Sequence, residues 1–114
     1  MNRIALALLL SSCAIAPLEM KDFPCPPEGT TLSYENFGRA FIDSNCNTCH
    51  AREASIRHGA PESFQFDTLD DIHQRADRIF VRGAATNTSM PPGPSDPSPE
   101  DRDKLAEWLA CGAP

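Results

Sequence analysis

The chain has 114 residues, 40% of them hydrophobic, and a formal net charge of −6. A chain of this length holds one folded domain at most. Its acidic balance makes nucleic acid a poor partner, because phosphate binding needs clustered Lys and Arg.

The first segment is expected to stand apart from that domain. Met1-Asn2-Arg3 is a short positive start, and residues 4–10 form an unbroken apolar run. This is the pattern of a secretory signal peptide over 1–12, too short to cross a bilayer as a permanent helix. Its removal takes Arg3 and leaves the rest one charge more negative. The run closes in Leu10-Ser11-Ser12-Cys13, which resembles the lipobox of bacterial lipoproteins. The resemblance implies that Cys13 is diacylated and becomes the new N-terminus, and two or three acyl chains give stable anchoring. The plainer reading is an ordinary cleavage site with Cys13 incidental. Ala14, rather than an acid, follows Cys13, which by resemblance to enterobacterial sorting leans to the outer membrane. The expected location is the periplasmic side of a bacterial membrane.

Residues 13–32 read as a lipid-anchored linker. Pro17, Pro24, Pro26 and Pro27 break regular structure, and Gly29-Thr30-Thr31 continues the break. Met20 falls in this stretch and reads as linker. The folded domain is expected over 33–114. Ser33 is a good N-cap. Tyr34, Phe37, Gly38, Phe41 and Ile42 then follow at i, i+3, i+4, i+7 and i+8, one apolar face of a first helix. Gly38 on that face costs roughly 1 kcal/mol against Ala, so a close approach by another backbone or ring is expected there.

The first helix runs directly into Cys46-Asn47-Thr48-Cys49-His50. The spacing C-x-x-C-H is the attachment signature of a c-type haem. Two thiols three residues apart add across the vinyl groups of one haem, and the adjacent His50 supplies an axial ligand. A zinc site would need a second pair of ligands at similar spacing, and none exists. A thiol redox pair would need a βαβ setting, and the chain shows no convincing strand. The expected cofactor is therefore one covalent haem c per chain, attached outside the cytoplasm in keeping with the leader.

Beyond the motif, the stretches 51–66 and 84–97 have no strand alternation and read as long loops, which a haem would explain by being wrapped in them. A second helix is expected over 69–81, capped by Asp67 or Thr68. Its inner stripe is Leu69, Ile72, Ala76, Ile79 and Phe80, and Gly83 lies just past its end. The acids Asp67, Asp70 and Asp71 read as a helix N-terminus and its solvated face, with no acid–base pair of an enzyme in view. The last helix is the clearest. Ser98 caps it, Pro99 takes its first position, and Glu100 and Asp101 sit in its first turn. Leu105, Trp108 and Leu109 form its apolar face, and Gly112 stops it. The fold class is all-α.

Met90 is the methionine downstream of the motif, in Thr88-Ser89-Met90-Pro91-Pro92-Gly93. Pro91 biases it to extended backbone, and the prolines stiffen the chain beyond it, which suits a thioether held as the second axial ligand. A gap-filling methionine is the alternative. His58 and His73 are the rival ligands. Arg52 and Arg57 are candidate partners for the haem propionates, or simply solvated. Of five cysteines, Cys25 and Cys111 remain after Cys13, Cys46 and Cys49 are assigned. In an oxidising compartment they are a disulfide candidate, with two unrelated thiols as the alternative.

Taken from 33 to 111, the chain resembles a mono-haem class I cytochrome c. The residues that carry the resemblance are Phe37, Gly38 and Phe41, the Cys46 to His50 motif, Met90-Pro91-Pro92, and Leu105, Trp108 and Leu109. It implies a small all-α cytochrome c-like fold of three main helices, with long loops around the haem. It also implies that the first and last helices cross with Gly38 facing Trp108, and that the Pro61 carbonyl accepts from His50. The implied function is one-electron carriage, not enzymatic turnover, between periplasmic or membrane redox proteins as donor and acceptor. An acidic carrier would be steered to a basic docking patch, an attraction that salt weakens. Two other readings stand beside it. One is a peroxidase-like haem enzyme or a gas or redox sensor with a labile sixth ligand. The other is a structural lipoprotein with a thiol pair and no haem.

Overall fold

The computed structural model describes residues 15–114. The signal peptide and the lipidation candidate Cys13 lie outside the described residues. Among those residues all regular structure is helical, and the all-α class stands. A short 3₁₀ turn over Met20–Asp22 precedes five helices. These are α1 (Arg39–Asn45), α2 (Asn47–His50), α3 (Leu69–Gln74), α4 (Ala76–Gly83) and α5 (Pro99–Ala110).

The first helix is entered through a π-helical turn, Tyr34–Gly38. Ser33 caps it as a reciprocal box with Asn36. The Asn36 N–H donates to Ser33 Oγ at 3.1 Å, and the Ser33 N–H donates to Asn36 Oδ1 at 2.7 Å. These bonds satisfy donors that a helix start leaves open. Phe41 and Ile42 are buried on the inner face. Gly38 meets Trp108 where the first and last helices cross, and a Cβ at Gly38 would overlap the six-membered ring of Trp108. The ring of Phe37 meets Trp108 edge-on, 6.2 Å between centroids at 74°.

The helix expected over 69–81 is divided. The Arg75 backbone leaves helical geometry at φ −121° and ψ 12°, and the chain resumes as α4, which runs on to Gly83. The Arg75 guanidinium lies 4.4 Å from the centroid of Phe64 and donates to the Ser63 carbonyl at 3.1 Å. The break therefore fastens this helix pair to the loop that follows the cysteine motif. Thr68, not Asp67, caps α3 through a box with Asp71. The apolar stripe survives the break, with Ile72, Ile79 and Phe80 all buried. Ser98 caps α5 and Pro99 opens it, as the sequence suggests.

The stretch read as a linker is laid against the domain. Leu18, Met20, Phe23 and Leu32 pack on the core, and the Phe23 and Phe80 rings are 5.7 Å apart. Leu18 exchanges two backbone bonds with the Asn87 side chain, at 2.9 and 2.8 Å. A disulfide joins Cys25 to Cys111 at the end of α5. The prolines of this stretch limit regular structure to the one 3₁₀ turn but leave the apolar residues between them free to pack on the core, partly buried. At the other end, the Pro114 carbonyl accepts from the Tyr34 N–H at 2.7 Å and from Trp108 Nε1 at 3.2 Å. No helix among the described residues is long and apolar enough to cross a membrane.

Candidate cofactor cleft

The motif sits on one helical turn that continues α1. The Cys46 N–H donates to the Ile42 carbonyl at 2.9 Å, and the Cys49 and His50 N–H groups donate back to Cys46 at 3.1 and 2.9 Å. Cys46, Cys49 and His50 therefore stand at i, i+3 and i+4, on one side of the turn. Asn47 holds the turn in place by donating to the Phe66 carbonyl at 2.9 Å.

The His50 ring is fixed by two contacts. Its Nδ1 is 2.7 Å from the Phe64 carbonyl oxygen, and its face stacks on Phe66 with centroids 4.6 Å apart. A carbonyl only accepts, so Nδ1 carries the proton and Nε2 keeps its lone pair. The expected acceptor, Pro61, lies three residues earlier and does not serve. The Pro61 carbonyl instead takes the Arg57 guanidinium at 3.0 Å and the Phe64 N–H at 3.0 Å. That turn carries the chain onward and offers Phe64 to the histidine.

Cys46, Cys49, His50 and Met90 all line one cleft of about 280 Å³. Its walls include Phe41, Phe64, Phe66, Ile79 and Leu105, mostly apolar surface, and no carboxylate side chain lines it. Burial pushes the Cys46 thiol up to about 12, against a smaller downward pull from Arg102. Met90 is 39% exposed at the cleft edge. Its backbone is held at both polar atoms: its N–H donates to the Arg82 carbonyl at 2.9 Å, and its carbonyl accepts from Arg102 Nη1 at 2.8 Å.

The rival ligands separate. His58 also lines the cleft, in a turn where it and Gly59 have φ of 49° and 82°. His73 is directed elsewhere, its Nε2 2.8 Å from the Ala113 carbonyl. Arg57 lines the cleft but donates to the carbonyls of Ala51, Ala60 and Pro61. Arg52 does not line it; its Nε donates to Gln65 and its backbone N–H to Asp67. Sequence reasoning misses Arg78 and Arg82, one turn apart on α4 and both at the cleft. Their i, i+4 spacing is the available signal. It also misses Arg102, buried on α5.

These residues fit a covalent haem. Among the described residues no three His, Cys, Asp or Glu side chains converge as a bare ion would require. A planar macrocycle instead takes thiols at its edge and nitrogen and sulfur donors on its two faces. The apolar walls and the fixed His50 tautomer suit it.

A family model described as cytochrome c oxidase, cbb3-type, subunit III matches residues 36–109. The matched stretch begins in the π-helical turn that leads into α1 and ends in α5, and so holds the motif, Met90 and every residue that lines the cleft. No curated protein and no solved structure matches the chain.

Proposed function

The chain belongs to this family of c-type cytochrome domains, which are haem-based electron-transfer modules, and from that membership we propose a one-electron carrier with His50 and Met90 as axial ligands. One haem c is held covalently through Cys46 and Cys49. Bound there, it supplies a ferric/ferrous couple and nothing that transforms a substrate. The observation that carries this reading is the cleft itself, on which the two thiols, a tautomer-fixed imidazole and a backbone-anchored thioether all open.

The protein's own part is to hold those donors still. The Phe64 carbonyl keeps the proton on His50 Nδ1 and so keeps Nε2 available to iron. Phe66 fixes the plane of the imidazole. The bonds to Arg82 and Arg102 fix Met90. Held at these fixed positions, His50 and Met90 would be offered unchanged to either oxidation state of a bound haem, so little rearrangement of the protein would accompany transfer. Thioether ligation raises the potential relative to two histidines. Arg78 and Arg82, neither paired with a carboxylate among the described residues, are donors for the propionates, with Arg57 able to add only the one N–H that Nη1 and Nη2 each keep beyond their carbonyl bonds.

The carrier exchanges electrons with redox proteins on the periplasmic side of a bacterial membrane, anchored through lipid on Cys13. Mass analysis of the mature N-terminus tests the anchor. For the iron, the decisive measurement is the optical spectrum of matured protein. A sulfur-to-iron charge-transfer band in the oxidised form, lost in Met90→Ala, is expected, with no carbon monoxide shift on reduction. A wild-type protein without the band, binding carbon monoxide freely, would instead be a sensor or a ligand-activating haem protein.

A further inference from the structure

Arg102 has a place in the fold that packing alone does not explain. It lies on α5 with 4% of its surface exposed, and no carboxylate pairs with it among the described residues. A buried cation is costly unless its donors are used. Here the two N–H groups of Nη1 are shared among three carbonyls, those of Gly83 at 2.8 Å, Asn87 at 3.1 Å and Met90 at 2.8 Å. These belong to the end of α4, the following loop and the proposed ligand. The Arg102 carbonyl in turn accepts from the Ala85 N–H at 2.9 Å.

We propose that Arg102 is the positioning residue for the sixth ligand: it ties the Met90 backbone to α5, so that the thioether stays beside the iron. The proposal rests on the reading of Met90 as that ligand. Residues 84–97 have no regular hydrogen-bonded structure to do this by themselves. Gly83 lets the Met90 carbonyl come close, since a Cβ there would stand 3.2 Å from that oxygen. Leu105, one turn on from Arg102, lines the cleft. The clamp and one wall of the site therefore belong to the same rigid helix. A weak ligand on an irregular loop is retained when the bound geometry is already the resting one. The buried positive charge also disfavours the more positive ferric state, so its removal should lower the reduction potential.

The test uses matured, haem-loaded protein in four forms: wild type, R102K, R102M and L109A. Leu109 is buried on the same helix but does not line the cleft, so L109A controls for lost stability. Imidazole is titrated into the ferric protein while the sulfur-to-iron band is followed. R102M should bind imidazole at least about tenfold more tightly, because the fraction with Met90 displaced rises. Its potential should also fall. R102K, keeping the charge and some of the bonds, should lie between R102M and wild type, and L109A should titrate as wild type. Wild-type behaviour in both Arg102 variants, or an equal shift in L109A, overturns the proposal. If R102M does not mature, R102K against wild type and L109A decides. A wild-type protein with no such band overturns the Met90 reading, and this inference with it; a wild-type band with unmoved variants overturns this inference alone.

Discussion

At Gly38 a hydrogen atom stands where a methyl group has no room. The Trp108 ring fills that space, is fully buried, and is braced by Phe37. Alanine would gain roughly 1 kcal/mol of helix propensity but overpack a contact whose strain runs to roughly 1–3 kcal/mol. Because the ring has nowhere to retreat, Gly38→Ala should lose about 2 kcal/mol in denaturant titrations of the haem-loaded protein. Unchanged stability would mean the helices part easily. Cys46 gives a second prediction. Burial favours its neutral thiol and raises it above the ordinary value of 9.0, to about 12. In haem-free, disulfide-bonded protein the protonated thiol therefore contributes stability that is complete below 9.0 and declines as pH climbs through about 12. Cys46→Ala should remove that alkaline slope, and a thioether at Cys46 should remove it too, as followed by unfolding at stepped pH. Cys46, Cys49 and His50 are plain in the sequence because their spacing is the chemistry. The acceptor for His50 is not, since a backbone carbonyl has no residue-type signature and a turn of three residues moves it from Pro61 to Phe64. Arg102 is invisible for a similar reason: all its partners are backbone.

The helices are legible where local chemistry defines them. Ser98, Pro99 and the acids behind them mark the start of α5 as clearly in the chain as in the fold, and Ser98 Oγ accepts from the Asp101 N–H at 3.1 Å. Ser98→Ala should cost about 1 kcal/mol of global stability, read by chemical denaturation, with Ser98→Asp restoring most of it. A cost near zero would mean that packing alone sets the start of this helix. The division between α3 and α4 is not legible. Ile72, Ile79 and Phe80 keep one inward stripe across it, so hydrophobic periodicity runs through a break that is made by tertiary contacts of Arg75 with Phe64 and Ser63. The π-helical turn over Tyr34–Gly38 is similar: its capping residues can be read, its wider winding cannot.

As a whole the described molecule is a set of short helices and loops with an apolar cleft on one side, and a strap laid on its core and bonded to the end of α5. The strap, residues 15–32, reads as linker because its prolines exclude regular structure, yet Leu18, Met20 and Phe23 are part of the core surface. The Cys25–Cys111 bond closes it over a separation of 86 residues. In the chain-entropy account a loop that long is worth about 4–5 kcal/mol. Replacing both cysteines by serine should therefore lower unfolding stability by up to that amount, while leaving the oxidised spectrum at neutral pH unchanged. A spectral change in the variant would show that the strap also shapes the cleft. The same strap limits where the carrier can go. Leu18 is fastened to Asn87 at both backbone polar atoms, so if Cys13 carries the proposed lipid, only four residues of slack separate the two, a leash of five Cα steps and about 17 Å at full stretch. Such a protein would look for its partners across a plane and not through a volume, and the side it turns to them would be chosen by the point where its leash leaves the fold.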